Sequence, residues 1–184
     1  MSEITDLESL LTAVRHNQPL KYLFFWGHQP HPDGRITPSC FSQWWPSPFA
    51  VDGVRYETAE HYMMAEKARL FGDSAACQKI LAASHPGAAK KLGREVRGYD
   101  EAIWSQHRFE IVVQGNEAKF GQHNELKAYL LNTKARVLVE ASPYDRIWGI
   151  GLGEADAAAT NPEKWQGLNL LGFALMKVRA TLNG

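Results

Sequence analysis

The segment Tyr56 to Phe71, YETAEHYMMAEKARLF, places a carboxylate and an ammonium where a core is expected. On a helix, Tyr56, Glu60, Met63, Lys67 and Leu70 follow one another in alternating steps of four and three, a single inward stripe. Burying either charge alone is costly, so Glu60 and Lys67 need partners or a wet cleft. Glu60 falls in the first turn, where unpaired N–H groups favour an anion. A carboxylate and a lysine meeting at one substrate can move protons, stabilise a positive centre or attack carbon. A structural ion pair, or two side chains reaching for solvent, would leave the same pattern. His61 points about 100° away from Glu60 and falls outside the stripe.

Two later clusters share glycine and tryptophan. Tyr144 to Gly153 reads YDRIWGIGLG. Such a turn after a strand lets backbone N–H groups approach a phosphate or sugar, with Trp148 as a stacking face. It also fits a tight turn around a core tryptophan. The glycines are too close for a dinucleotide fingerprint, and no helix follows directly. Trp165 to Gly172 reads WQGLNLLG, in which Asn169 is placed to cap the last helix. Gly93-Arg94 and Arg97 form either a phosphate contact or a solvated basic face. His28 and His31 lack the cysteine or acidic partners of a metal quartet, so no metal site is expected.

The elements that hold these residues follow from periodicity and turn chemistry. Residues 3–16 carry Ile4, Leu7, Leu10, Leu11 and Val14 at helical spacing, an accessory helix within residues 1–20. Lys21 to Trp26 reads as a strand, and the proline-rich stretch His28 to Ser39 as a loop. Asp52-Gly53 between Phe49–Val51 and Val54–Tyr56 predicts a hairpin. Thr58, Asp73 and Asp100 are placed to cap helices, Pro86 to open a short one, and Asn124 to begin another. Arg136 to Glu140 alternates like a strand. The terminal helix carries Leu171, Leu175, Val178 and Leu182. No repeat or linker interrupts residues 21–184. The expected fold is α+β: a single, mostly helical domain around a small β-sheet.

Composition limits the function. The 184 residues suffice for one core, and 20 basic against 20 acidic side chains give zero net charge. That balance argues against non-specific nucleic-acid binding, which needs a basic excess, but not against gripping one nucleotide. Two cysteines, Cys40 and Cys77, make no disulfide framework and suit a reducing cytoplasm. No apolar run is long enough to span a membrane. Six tryptophans, several beside Gly, Asn or Asp, suggest an aromatic cleft as well as an aromatic core.

Taken in order, these pieces resemble the NADAR (YbiA-like) N-glycosidase family. The matching segments are Phe24-Phe25-Trp26-Gly27, Phe41-Ser42, Pro48-Phe49, Thr58 to Tyr62, Ala65 to Ala68 and Leu92-Gly93-Arg94. Trp104, Lys119-Phe120, Val139-Glu140-Ala141, Asp145, Ile147 to Leu152 and Trp165 to Gly172 complete the series. The resemblance covers about residues 21–182. It implies metal-free, cofactor-free cleavage of N-glycosides, acting on ADP-ribose attached to guanine or on ribosylamino-pyrimidine phosphates of early riboflavin synthesis. Riboflavin-type members carry an acidic residue where this chain has Ile150, which tilts the expectation toward ADP-ribosyl-guanine, free or in DNA or RNA.

Cleaving C1′–N leaves an oxocarbenium-like centre that a fixed carboxylate stabilises or an activated water captures. Glu60 is the first candidate for that carboxylate and Asp145 the second. Lys67 either holds a phosphate or ribose hydroxyl, or attacks C1′ and forms a Schiff base. Trp26, Trp104 and Trp148 are candidates to hold the base, and Arg94, Gly149 and Gly151 to contact phosphate. Gly27, Ser42 and Asn169 complete the expected substrate-binding set. A reader that holds ADP-ribose without cleaving it is the competing class, and an inward Glu60 near an anionic ligand speaks against it.

Overall fold

A computed structural model of the chain describes residues 4–184. Two compact units divide it, one formed by residues up to Ser42 and from Ala128 to Gly184, the other by Gln43–Lys127.

The first unit contains helix α1 (Leu7–Arg15), strand β1 (Tyr22–Phe25), a 3-10 turn at Pro38–Phe41, strand β4 (Val137–Glu140) and helix α7 (Leu170–Asn183). Asp6 and Ser9 close a capping box on α1, whose Leu10 and Ala13 are buried, and Arg15 pairs with Glu163. The helix expected over residues 3–16 thus starts later, and its first position lies outside the described residues. β1 and β4 pair in parallel, Tyr22 opposite Val137 through Phe25 opposite Glu140. Val137, Leu138 and Val139 are wholly buried, as a parallel ladder covered on both faces requires. α7 lies directly on β4, and Gly172 permits it, because a Cβ there would collide with the Leu138 carbonyl.

The second unit begins with the expected hairpin, β2 (Phe49–Val51) and β3 (Val54–Tyr56). Its turn residues Asp52 and Gly53 have φ of 50° and 78°, the left-handed conformation of that turn type. Helices α2 (Ala59–Leu70), α3 (Ser74–Leu81), α4 (Pro86–Arg94) and α5 (Glu101–Gln122) follow. α6 (Asn124–Leu131) runs across the chain boundary at Lys127, so no linker composition marks it. Thr58, Asp73 and Asp100 cap α2, α3 and α5 by accepting from His61, Ala76 and Ile103 N–H. α2 is buried nearly all round from Ala59 to Ala65, so it is the unit's central helix rather than a surface helix with one stripe. Even His61 is buried: its Nε2–H donates to the Ala83 carbonyl at 3.0 Å, and Nδ1 accepts from the Thr58 hydroxyl.

The fold is mostly helical α+β, as expected, with one difference. The small sheet is two separate two-stranded ladders, because the hairpin and the β1–β4 pair belong to different units. Among the described residues no helix is long and apolar enough to cross a membrane.

Candidate active site

In the second unit, Thr58 starts α2 so that Glu60 lies in its first turn and Lys67 near its last. Glu60 is buried and its N–H donates to the Gln43 carbonyl at 3.0 Å. The Gln43 side chain accepts from Asn116 Nδ2 at 2.8 Å, and that amide also donates to the Val112 carbonyl. Gln43 Nε2 and Asn116 Oδ1 are buried without a hydrogen-bond partner among the described residues. Half-buried Lys67 lies between two aromatic rings, its Nζ 4.4 Å from the Tyr99 centroid and 5.6 Å from that of Trp104. Burial depresses its pKa below the ordinary lysine range, Glu101 and then Glu60 oppose that shift, and Arg94 adds to it. A neutral amine is therefore more accessible at Lys67 than at a solvated lysine. Glu60, Lys67, Trp104 and Arg94 are thus placed on neighbouring helices of one unit, with Arg94 exposed at the end of α4.

The glycine beside Arg94 has a packing role. A Cβ on Gly93 would overlap Met64, so this glycine lets α4 approach α2. Arg97 is engaged by Asp73: its backbone N–H donates to Oδ2 at 2.9 Å and Nη2 to Oδ1 at 3.1 Å. Those contacts hold the Asp73 carboxyl well below the usual carboxylate range.

In the first unit, the chain after β4 turns sharply. Asp145 Oδ1 accepts from the Ile147 and Trp148 N–H groups at 2.9 and 2.8 Å, and its carbonyl accepts from Gly151. Its carboxylate therefore shapes the turn that presents Trp148. Gly149 is there for lack of space, since a Cβ would come within 2.9 Å of the Glu140 carbonyl, and Gly151 has φ 68°. Ile150 between them is fully buried. Asn169 occupies the expected position before α7, but its side chain does not cap the helix. With φ 54°, it turns toward β4, where Oδ1 accepts from Glu140 N–H and Nδ2 donates to the Leu138 carbonyl, both at 2.9 Å. Trp26 and Gly27 follow β1 and are exposed, and Ser42 ends the 3-10 turn, half-buried.

Four residues near these positions escaped sequence reasoning. Tyr99 covers Lys67 and donates its hydroxyl to Glu101; burial and that bond push it up to about 12. Nothing in the local pattern pointed to it. Lys119 is fully buried on α5, and Gln43 and Asn116 form the web below Glu60. Lys119 stood in the segment that resembled the family; its spacing from Val112, Asn116 and Phe120 was the further signal that a lysine lies on a buried face.

N-glycosidase R617 of Acanthamoeba polyphaga mimivirus is 44% identical over 164 residues, covering 86% of this chain and 95% of that protein. N-glycosidase YbiA of Escherichia coli (strain K12) is 34% identical over 144 residues, 78% of this chain and 79% of its own. The NMR structure of Escherichia coli YbiA superposes with a TM-score of 0.71 at 29% identity, covering 89% of this chain and 85% of the other. The class is thereby that of hydrolases acting on N-glycosyl compounds. Within it the chain belongs to the NADAR domain family, whose model matches residues 24–183.

Proposed function

We propose that this chain hydrolyses the bond between ADP-ribose and guanine, with Glu60 and Lys67 as the reacting pair. The observation that carries the reading is a lysine with depressed pKa one helix face from a buried carboxylate. In this scheme the neutral Lys67 amine bonds to C1′ as the guanine nitrogen leaves. Glu60 delivers the proton that guanine takes and accepts the one that Lys67 releases. Ring opening gives a Schiff base, and water added across it returns the free amine and the sugar. Trp104 holds the base or ribose beside Lys67, and Arg94 pairs with phosphate. Within the first unit, Trp148, Gly149 and Gly151, with Ser42 and Gly27, are that unit's own candidates for nucleotide contact through ring and backbone. Asp145 and Asn169 serve as positioning residues, since their polar atoms hold the turn and β4. Ile150 supports guanine over the pyrimidine phosphates, because the acidic residue of riboflavin-type members is absent.

The test is a turnover panel of ADP-ribosyl-guanosine, modified single-stranded DNA and ribosylamino-pyrimidine phosphates, run with Glu60→Gln and with borohydride. Expected are guanine release, a rate loss of about 10²–10⁴ in Glu60→Gln, and a reduced adduct on Lys67 by intact mass. Turnover of the pyrimidine phosphates alone would overturn the guanine assignment. Binding of ADP-ribose without turnover would make the chain a reader.

A further inference from the structure

We infer that Trp26 and Tyr144 form a stacking site for an unpaired purine base. Both are large aromatic residues left in solvent: Trp26 is 58% exposed and Tyr144 85%. Their rings nevertheless meet, centroids 6.0 Å apart and planes at 53°. The two side chains come from separate segments, one directly after β1 and the other in the turn after β4. Both lie beyond the carboxyl ends of the parallel pair β1 and β4, at one end of that ladder.

The geometry selects a small flat ligand. Rings tilted by 53° make an open corner in which a planar base stacks on one face and meets the edge of the other ring. Two aromatic side chains offer roughly 150–250 Å² each, well short of the ~800 Å² per partner of a stable protein interface. Gly27, at φ 84°, has nothing within 4 Å of where a Cβ would stand, so the floor beside Trp26 is clear for a sugar. Arg146, two residues from Tyr144, is exposed and steadied by donating Nη2 to Gln166 Oε1 at 3.1 Å. Its remaining donors suit a phosphate attached to the stacked base. A purine nucleotide, free or within a single strand, satisfies ring, sugar space and guanidinium together.

The inference deepens the substrate reading above and takes its ligand class from it, but it concerns binding alone. It is therefore tested with nucleotides that carry no scissile bond, and turnover is measured separately. The probes are GMP, AMP, ribose 5-phosphate and a purine hexamer of single-stranded DNA, titrated calorimetrically into wild type, Trp26→Ala, Tyr144→Ala and Tyr144→Phe. Expected is binding of GMP and AMP but not of ribose 5-phosphate, weakened roughly tenfold in either alanine variant and retained in Tyr144→Phe. Tighter binding of the hexamer than of GMP assigns the site to a strand, equal binding to a free nucleotide, and both support it. Equal binding of ribose 5-phosphate and GMP, or unchanged affinity in a folded Tyr144→Ala, would overturn it. So would a change in self-association without a change in nucleotide affinity.

Discussion

Gly115 on α5 sits where a methyl group would come 2.5 Å from Tyr62 Cδ1 and 3.1 Å from Cε1. Ordinary carbon contacts begin near 3.5 Å, so the ring or the helix must yield about 1 Å. The ring has little freedom: it meets Tyr56 edge-on at 5.0 Å and Phe49 at 6.0 Å, and its hydroxyl donates to Gln114. Overpacking of this kind costs ~1–3 kcal/mol. Alanine in place of glycine inside a helix returns about 1 kcal/mol. With the Tyr62 ring pinned and the overlap about 1 Å, the cost falls in the upper part of that range, so we expect Gly115→Ala to lose ~1–2 kcal/mol net, a fall in Tm of roughly 2–8 °C for a chain of this length. Gly93→Ala is the control: its obstacle is the flexible thioether end of Met64, which can swing aside, so its Tm should fall less. Because α2 carries both Glu60 and Lys67, the shifted helix pair should also lower turnover by about tenfold or more, since a 1 Å misplacement is that costly. Scanning calorimetry and steady-state kinetics on both variants provide the readout. A Gly115→Ala protein as stable as wild type would show that the α2–α5 spacing is not set by this glycine.

Three further outcomes are expected. Lys67 has a lowered folded pKa, so activity that needs its neutral amine should rise with pH through a value below the ordinary lysine range. Glu101→Gln removes the charge that most opposes the shift and should move that limb further to acid in a pH–rate profile; an alkaline move would contradict the assignment. Asn169→Ala strips the partners from Glu140 N–H and the Leu138 carbonyl and should cost ~2–4 kcal/mol in urea unfolding, with a loss under 1 kcal/mol counting against the bonds. Activity should survive exhaustive EDTA treatment, because no His, Cys, Asp and Glu cluster among the described residues could hold a metal ion; loss rescued by one divalent cation would refute this.

Local structure was legible wherever turn and cap chemistry is local. Asp52-Gly53 and the caps Thr58, Asp73 and Asp100 act within four residues of themselves, so sequence alone placed the hairpin and three helix starts. Inward placement of Glu60 followed from helical spacing. Long-range facts were not legible. Asn169 looks like a helix cap because its neighbours in sequence are a helix, yet its amide answers a strand some thirty residues earlier. Tyr99 reaches Lys67 from the loop before α5, and no periodicity encodes that approach. Gly93, which with Arg94 and Arg97 fitted either a phosphate contact or a solvated basic face, owes its identity to Met64 on another helix.

The amide of Asn169 has a consequence for how the protein behaves in a crowded solution. Along β4, the Val137 and Ala141 N–H groups bond to β1, so Leu138 and Glu140 direct theirs to the opposite edge. A bare edge of that kind is a template on which a strand from another molecule can grow. Here the side chain of Asn169 imitates a neighbouring strand, accepting from one residue and donating to the next but one, while Ile150 N–H takes the Glu140 carbonyl. That edge is thus sealed from within the same chain. Variants that unseat Asn169 should therefore gain a tendency to form intermolecular β-structure in addition to losing stability.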